Sequence, residues 1–441
     1  MGGVVAKERA AKGEPSKVLD GWAMVREKQT PPFSRLRGFF RIMICCLEVP
    51  LTILRGCLYG RKLERNEEGV DILFISQYHW EQVWRRNQHV AKHLSRNRKI
   101  FYLTPFPIHL LTVPQSQSFH VNGDWVSDRI YVLSTPVFVG ESWFPFIVWI
   151  NRMVMRGVLA KELRVTGISP GLLWFSHPYA ESLVEQWPGY PVVYDVQDEY
   201  PSVPTAPKNV AEREMRLLKK ADIVFTGTFS LYLKKRAYSR NIHFVACGVD
   251  FDHFHRVCDE SLEIPADIGA IRAEKMLGYF GAVGDRIDWG VLREIALRHP
   301  EWAIVLIGGV SRIDPEVGDL KNIHILGKRS YSDLPRYIKR FDVCLIPFKI
   351  DDLTRYIYPT KLLEYLSAGK PVISSPIPDV ERFFTGVVGI AGDIESFERE
   401  MAKLEDWSER IEKGMEMARK SSWEDAIGEM EKRLNETLSR R

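Results

Sequence analysis

The stretch YIYPTKLLEYLSAGKPVISS, residues 356–375, carries the densest signal in the chain. Pro359 suits the first turn of a helix, where no intrahelical N–H is needed, and Gly369 is placed to end that helix before the β-branched run PVISS. A helix of this kind offers free N–H groups and the positive end of its dipole, both of which favour a phosphate. Lys361 adds a mobile cation at that end. Glu364, three residues on, shares its face and can accept hydrogen bonds from two vicinal hydroxyls. Helix end, cation and carboxylate together fit a nucleoside diphosphate; an exposed ion pair worth a few tenths of a kcal/mol would have the same spacing.

Upstream of this word the chain repeats the same alternation of short apolar runs and longer helical stretches. KMLGYFGAV, WAIVLIGG, NIHILG, DVCLIPF and KPVISSP read as strands of one sheet, with SDLPRYIKRF as a helix capped by Ser332. Earlier, VDILFIS, KIFYLTP, IYVLSTP, GLLWFSHP, PVVYDVQDE and ADIVFTGT read as strands of another, with a helix from Trp80 to Arg96 between the first two. Near-continuous apolar strands separated by helices predict parallel sheets covered on both faces. With 441 residues, about twice the usual domain size, two lobes are expected. The fold class is α/β: two Rossmann-like, doubly wound lobes over residues 67–260 and 261–410, an N-terminal arm at 1–66 and a C-terminal helix at 411–441 that packs back on the first lobe.

The arm departs from the rest in composition. Residues 33–65, FSRLRGFFRIMICCLEVPLTILRGCLYGRKLER, are basic and greasy together, with Glu48 and Pro50 interrupting the apolar runs. A spanning helix needs about 20 mostly apolar residues, so an amphipathic arm lying on an anionic membrane surface, or against the first lobe, is expected instead. Trp143, Phe144, Phe146 and Trp149 offer a second greasy contact. A net charge of +4 is too balanced to argue for nucleic acid as a partner. Six cysteines without C-x-x-C spacing indicate neither a zinc site nor a disulfide framework, and the polar first 32 residues do not read as a secretory signal. The expected place is the cytoplasm, at the inner face of the cell membrane.

PTKLLEYLSAGKPVIS resembles the donor-binding signature of GT-B glycosyltransferases, in particular the retaining family numbered four and its group-one relatives. The resemblance runs from Val70 onward and is strongest between Leu277 and Ser375. It implies glycosyl transfer from a nucleotide-diphosphate sugar, a substrate rather than a cofactor, to a glycan or lipid-linked acceptor, with retention of anomeric configuration and without a metal. In that resemblance LGYFGAVGDRIDWGVL places Gly281 and Arg286 at the donor phosphates, and NIHILGKRSYSDLPRYIKRFDVCLIPF places Lys328 and Tyr331 near the base, beside Lys361 and Glu364. The family's pair of glutamates seven residues apart is incomplete: Tyr356 stands at the first position, with Asp351 or Asp352 as substitutes for the missing carboxylate. FSHPYAES places His177 at the cleft, and His177 and Tyr356 are the candidate catalytic residues. Arg85, Arg86 and Asp198 are the acceptor-side candidates. The same two-lobed fold also serves nucleotide-sugar epimerases, and a catalytically silent membrane-bound scaffold would keep the same site. A nicotinamide dehydrogenase is disfavoured, since neither lobe has G-x-G-x-x-G after its first strand.

Flotation with anionic vesicles is expected to recover the intact chain but not a form lacking residues 1–65, with recovery falling as salt rises. Equal recovery of the two forms would remove the arm as the anchor.

Overall fold

The computed structural model describes residues 70–81, 84–108, 122–138, 145–204 and 206–441. The arm expected over residues 1–66 lies outside these, as do Trp143 and Phe144 and the side chains of Phe146 and Trp149. Eight strands form the first sheet: β1 (Asp71–Ile75), β2 (Ile100–Ile108), β3 (Asn122–Ser127), β4 (Ile130–Phe138), β5 (Pro170–Phe175), β6 (Val192–Val196), β7 (Ile223–Thr226) and β8 (Ile242–Phe244). Six form the second: β9 (Met276–Phe280), β10 (Ala303–Ile307), β11 (Ile323–Gly327), β12 (Val343–Ile346), β13 (Val372–Ser374) and β14 (Gly389–Ile390).

Spatial order is β3-β4-β2-β1-β5-β6-β7-β8 in the first sheet and β11-β10-β9-β12-β13-β14 in the second. All pairings are parallel except β3 with β4. β3 was not anticipated, because its polar sequence NGDWVS, an edge strand, lacks the apolar run that marks the others. The order reverses between β1 and β5 in one sheet and between β9 and β12 in the other. Those reversals open crevices beyond the carboxyl ends of the strands, where doubly wound sheets bind ligands.

Both faces of the first sheet are covered. Along β1, Leu73 and Ile75 enter one core and Ile72 and Phe74 the other, which explains why its sequence is apolar without alternation. Part of the second cover comes from the far end of the chain. The Trp423–Ser439 helix, capped by Ser422 accepting the Asp425 N–H at 3.0 Å, buries Ile427, Met430 and Leu434 in the core of the first lobe. Trp423 stacks on His89 with ring centroids 4.3 Å apart. Where the chain passes between lobes, Val249 donates its N–H to the Ser421 carbonyl at 2.9 Å.

Two helix starts differ from expectation. Ser332 is not a cap: a 3-10 turn spans Tyr331–Asp333 and the helix runs Leu334–Ile338, since Pro335 has no N–H and belongs in a first turn. The helix expected from Trp80 covers Arg86–Leu94, with extended Arg85 as its cap and the Arg85 N–H donated to Gln88 Oε1 at 3.1 Å.

That start separates two neighbours expected to share a role. Arg85 is exposed, whereas Arg86 is 4% exposed and points into the lobe, where its Nε bonds both oxygens of fully buried Asp195 at 3.0 and 2.9 Å. Its Nη1 donates to the Val245 carbonyl at 2.8 Å. Arg86 is therefore a structural ion-pair partner, not an acceptor contact. Burial alone would lower its pKa, but the adjacent Asp195 carboxylate outweighs this and raises it.

Arg86→Ala would leave the Asp195 charge buried and unpaired, so a loss of about 3–5 kcal/mol in urea denaturation is expected. Arg85→Ala should change stability by no more than about 0.5 kcal/mol.

Candidate active site

The second lobe's crevice is built on backbone contact. Gly308 has φ +153, and a Cβ there would lie 1.7 Å from the Gly281 carbonyl oxygen, so only glycine lets the turns after β9 and β10 meet. The Gly281 N–H donates to Ile307 O at 2.8 Å and the Val283 N–H to Gly309 O at 2.9 Å, which continues the sheet into the turn. A Cβ on Gly281 itself would sit 3.0 Å from Cε of Lys361. The glycine turn and the lysine thus line one wall.

Lys361 lies in the first turn of the Thr360–Ser367 helix. Its ammonium rests over Phe348, 5.0 Å from the ring centroid, and beside Tyr279 at 5.6 Å. Both aromatics lie within or just beyond strands that flank the reversal, and neither had a signal in the sequence beyond core hydrophobicity. Burial pushes the Lys361 pKa down; Glu364 pulls it back up, and Arg286 and Arg85 push it down further. Burial raises Glu364, against a smaller opposing pull from Lys361. Arg286 is exposed on the turn after β9, and its main chain accepts the Lys349 N–H at 2.9 Å. Arg85 comes from the other lobe, with its guanidinium 4.4 Å from the Tyr78 ring centroid and Nη1 3.3 Å from the Tyr78 hydroxyl. Arg286 and Arg85, the latter from the other lobe, thus both act on the charge of Lys361.

Tyr331, 43% exposed, stacks on His253 with centroids 4.4 Å apart, while His253 Nε2 lies 3.0 Å from the Tyr331 carbonyl. Its hydroxyl pKa is raised by burial first and then by the negative charges of Glu364 and Asp250. Lys328 is exposed just beyond β11, with its carbonyl accepting from Arg329 at 3.1 Å. Tyr356 faces the other lobe: its ring lies under the Lys234 ammonium at 4.5 Å and against the first lobe's core. Of the two aspartates considered in its place, Asp351 has Oδ1 occupied by the N–H groups of Leu353 and Thr354, both at 2.8 Å. Asp352 is exposed and pairs with Arg355 at 3.5 Å.

In the first lobe, Ser76 and Ser176 directly follow β1 and β5, and Asn87 Nδ2 donates to both hydroxyls at 2.8 and 3.1 Å. His177 follows directly. It is 1% exposed, and its Nδ1 accepts the Tyr179 N–H at 3.1 Å, so the neutral ring carries its proton on Nε2. That buried Nε2 has no hydrogen-bond partner among the described residues. Burial pushes the His177 pKa down to about 3, with the Ser76 main chain opposing weakly, so the ring is a neutral donor and not an acid. Asp198 is half-buried, and its charge acts on Tyr78 and Tyr179.

His177 also makes stability depend on pH. As pH falls below 6.5, the unfolded chain takes up a proton that the buried ring refuses until about 3, so stability should fall by about 1.4 kcal/mol per pH unit in that window. His89, which burial lowers to about 4, adds in the same direction. Urea midpoints at two pH values inside and above the window check this, since His177→Gln should lose less stability on acidification than the native chain.

Residues 274–406 match the family model described as glycosyl transferases group 1. TuaH of Bacillus subtilis (strain 168), provisionally named a teichuronic acid biosynthesis glycosyltransferase, is 24% identical over 233 residues, 48% of this chain and 56% of that protein. The chain thus spans little more than half the length of this curated relative. Among solved structures, sucrose-phosphate synthase from Thermosynechococcus elongatus superposes with TM-score 0.63 at 13% identity, over 85% of this chain and 100% of that one. Anabaena HepE in complex with UDP superposes at 0.59 with 11% identity, over 83% of this chain and 100% of that one. At such identities the likeness shows the fold. The chain therefore has the GT-B fold, and residues 274–406 of its second lobe are similar to the group 1 glycosyltransferase model.

Proposed function

We propose that this protein transfers a sugar from a nucleotide-diphosphate sugar to a glycan or lipid-linked acceptor, with retention of anomeric configuration. One observation carries the reading. Lys361 sits half-buried at the positive end of a helix, with Glu364 as its opposing charge and Arg286 and Arg85 adding to its own, a setting in which a further anion is favoured. A diphosphate between these groups supplies that anion. As the bond to the sugar breaks, negative charge grows on the leaving phosphate, and fixed cations aimed at it stabilise that charge more than the ground state. We assign this task to the helix end, Lys361 and Arg286, without a metal. Glu364 then accepts hydrogen bonds from the ribose hydroxyls, with Tyr331 and Lys328 beside the base and Gly281 allowing close approach of the sugar.

His177 belongs opposite. Its Nε2–H, buried and engaged only weakly by the Ser76 main chain, is a donor for a hydroxyl of the transferred sugar, and its low pKa keeps it in that one form at working pH. Asp198 is the acceptor-side carboxylate. The HepE complex with UDP and the Escherichia coli trehalose-6-phosphate structure bound with UDP-2-fluoro glucose support a uracil nucleotide as the first donor to try. A peripheral place on the inner membrane face, through the basic arm, would bring the cleft to a lipid-linked acceptor.

Lys361→Ala and Glu364→Ala should each weaken nucleoside diphosphate binding by about 1.5–3 kcal/mol, the loss of a charge-assisted hydrogen bond. Calorimetric titration of UDP, GDP, ADP and CDP into both variants and the native chain checks this. Affinities unchanged in both variants would remove the site.

A further inference from the structure

The crossing point of the chain is not the only bond between the lobes. A second seam is built around the short Phe229–Lys235 helix of the first lobe. At its start, Asp379 of the second lobe, 1% exposed, accepts the Phe229 N–H on Oδ2 at 2.7 Å and the Ser230 N–H on Oδ1 at 3.0 Å. The Ser230 hydroxyl donates to the same oxygen. Beside it, Phe383 stacks on Phe244 at 5.7 Å and meets Phe229 edge-on at 5.8 Å. At the other end of the helix, the Lys234 ammonium covers the Tyr356 ring. Two segments of the second lobe thus grip opposite ends of one helix of the first.

The gripped helix is held firmly in its own lobe. Lys235 pairs with Glu214 at 2.7 Å and Glu199 at 3.0 Å, and Lys234 pairs with Glu199 at 3.3 Å. On the second lobe, Tyr356 ends a 3-10 turn locked by the buried Thr354, and only Ile357 to Thr360 separate Tyr356 from Lys361. Pro359 stiffens that connection, since its φ is fixed near −65°. Any movement of the Phe229–Lys235 helix relative to the second lobe must therefore reach the start of the helix that carries Lys361 and Glu364.

We propose that Tyr356 and Asp379 clamp the Phe229–Lys235 helix, and that Tyr356 is a positioning residue through which the first lobe sets the donor-binding helix rather than a group that touches the sugar. The clamp itself rests on interlobe contacts alone; its effect on ligand rests on the donor-site reading above. Asp379 is the independent handle, because it grips the seam from a helix that follows β13 and is not among the proposed ligand contacts.

Two measurements separate the cases. Small-angle scattering of the full chain without ligand reports the spacing of the lobes, and calorimetry with UDP, GDP, ADP and CDP reports the donor helix. Tyr356→Ala and Asp379→Asn are each expected to enlarge the radius of gyration and to weaken the best-binding nucleotide about tenfold, since a misplacement of about 1 Å is worth as much or more. Tyr356→Phe, which keeps the ring under Lys234, should restore both. In donor kinetics Asp379→Asn should raise KM more than it lowers kcat. A cooperative urea transition identifies variants that still fold, and Asp379→Asn, being isosteric, serves if Tyr356→Ala does not. An unchanged radius in the folded variants overturns the clamp. An enlarged radius with unchanged nucleotide affinity overturns the positioning role. Loss of nucleotide affinity in Tyr356→Phe at an unchanged radius would make the hydroxyl a direct ligand contact and overturn it too. If no nucleotide binds the native chain, the donor-site reading fails, while the radius still decides the clamp.

Discussion

A ligand can bridge two separate parallel sheets only if the carboxyl ends of their strands are held facing each other. That condition is met by a backbone contact. The chain leaves the first lobe beside the point where it later returns, and a Cβ on Gly248 would lie 2.3 Å from the Trp423 nitrogen. The two passing segments therefore lie backbone to backbone, tied by the bond from Val249 to Ser421. The returning chain is then anchored by Ile427, Met430 and Leu434, whose burial costs nothing polar and covers an open face of the first sheet. That anchor and the contacts of Asp379 and Phe383 at the Phe229–Lys235 helix together hold the two lobes against each other.

The cleft itself is electrostatically unfinished. Burial and the two arginines disfavour the Lys361 charge, while Glu364 and the faces of Phe348 and Tyr279 offset part of that cost. Among the described residues the buried His177 imidazole makes no full hydrogen bond through Nε2 and is engaged only weakly by the Ser76 main chain. Groups in such states are retained where a ligand completes them, because an anion or hydroxyl arriving there meets donors that need no reorganisation. The same groups would be poor choices for stability alone.

Arg85 and Arg86 illustrate how little separation in sequence decides a role. Arg85 is the extended cap of a helix and stays at the surface over Tyr78; Arg86 is the first helical residue and is turned into the lobe, where Asp195 takes Nε, the Val245 and Ala246 carbonyls take Nη1 and Met430 Sδ takes Nη2. One residue of offset at a helix start thus separates a cation facing the cleft from one that holds β6 to the chain leaving β8.

The sequence by itself determined the lobes and the donor helix. Apolar runs in period with turns, and a proline-to-glycine word around Lys361 and Glu364, are local patterns that depend on burial and backbone chemistry within a few residues, and these specify elements directly. The edge strand β3 escaped because its residues are exposed and polar. Only the tertiary structure decided which side chains meet: that Arg85 reaches the field of Lys361, that Tyr356 turns to the opposite lobe, and that Asp379 caps a helix 149 residues away in sequence at Ser230. Such pairings depend on how the lobes dock, and no local spacing along the chain encodes a contact between residues so far apart in sequence.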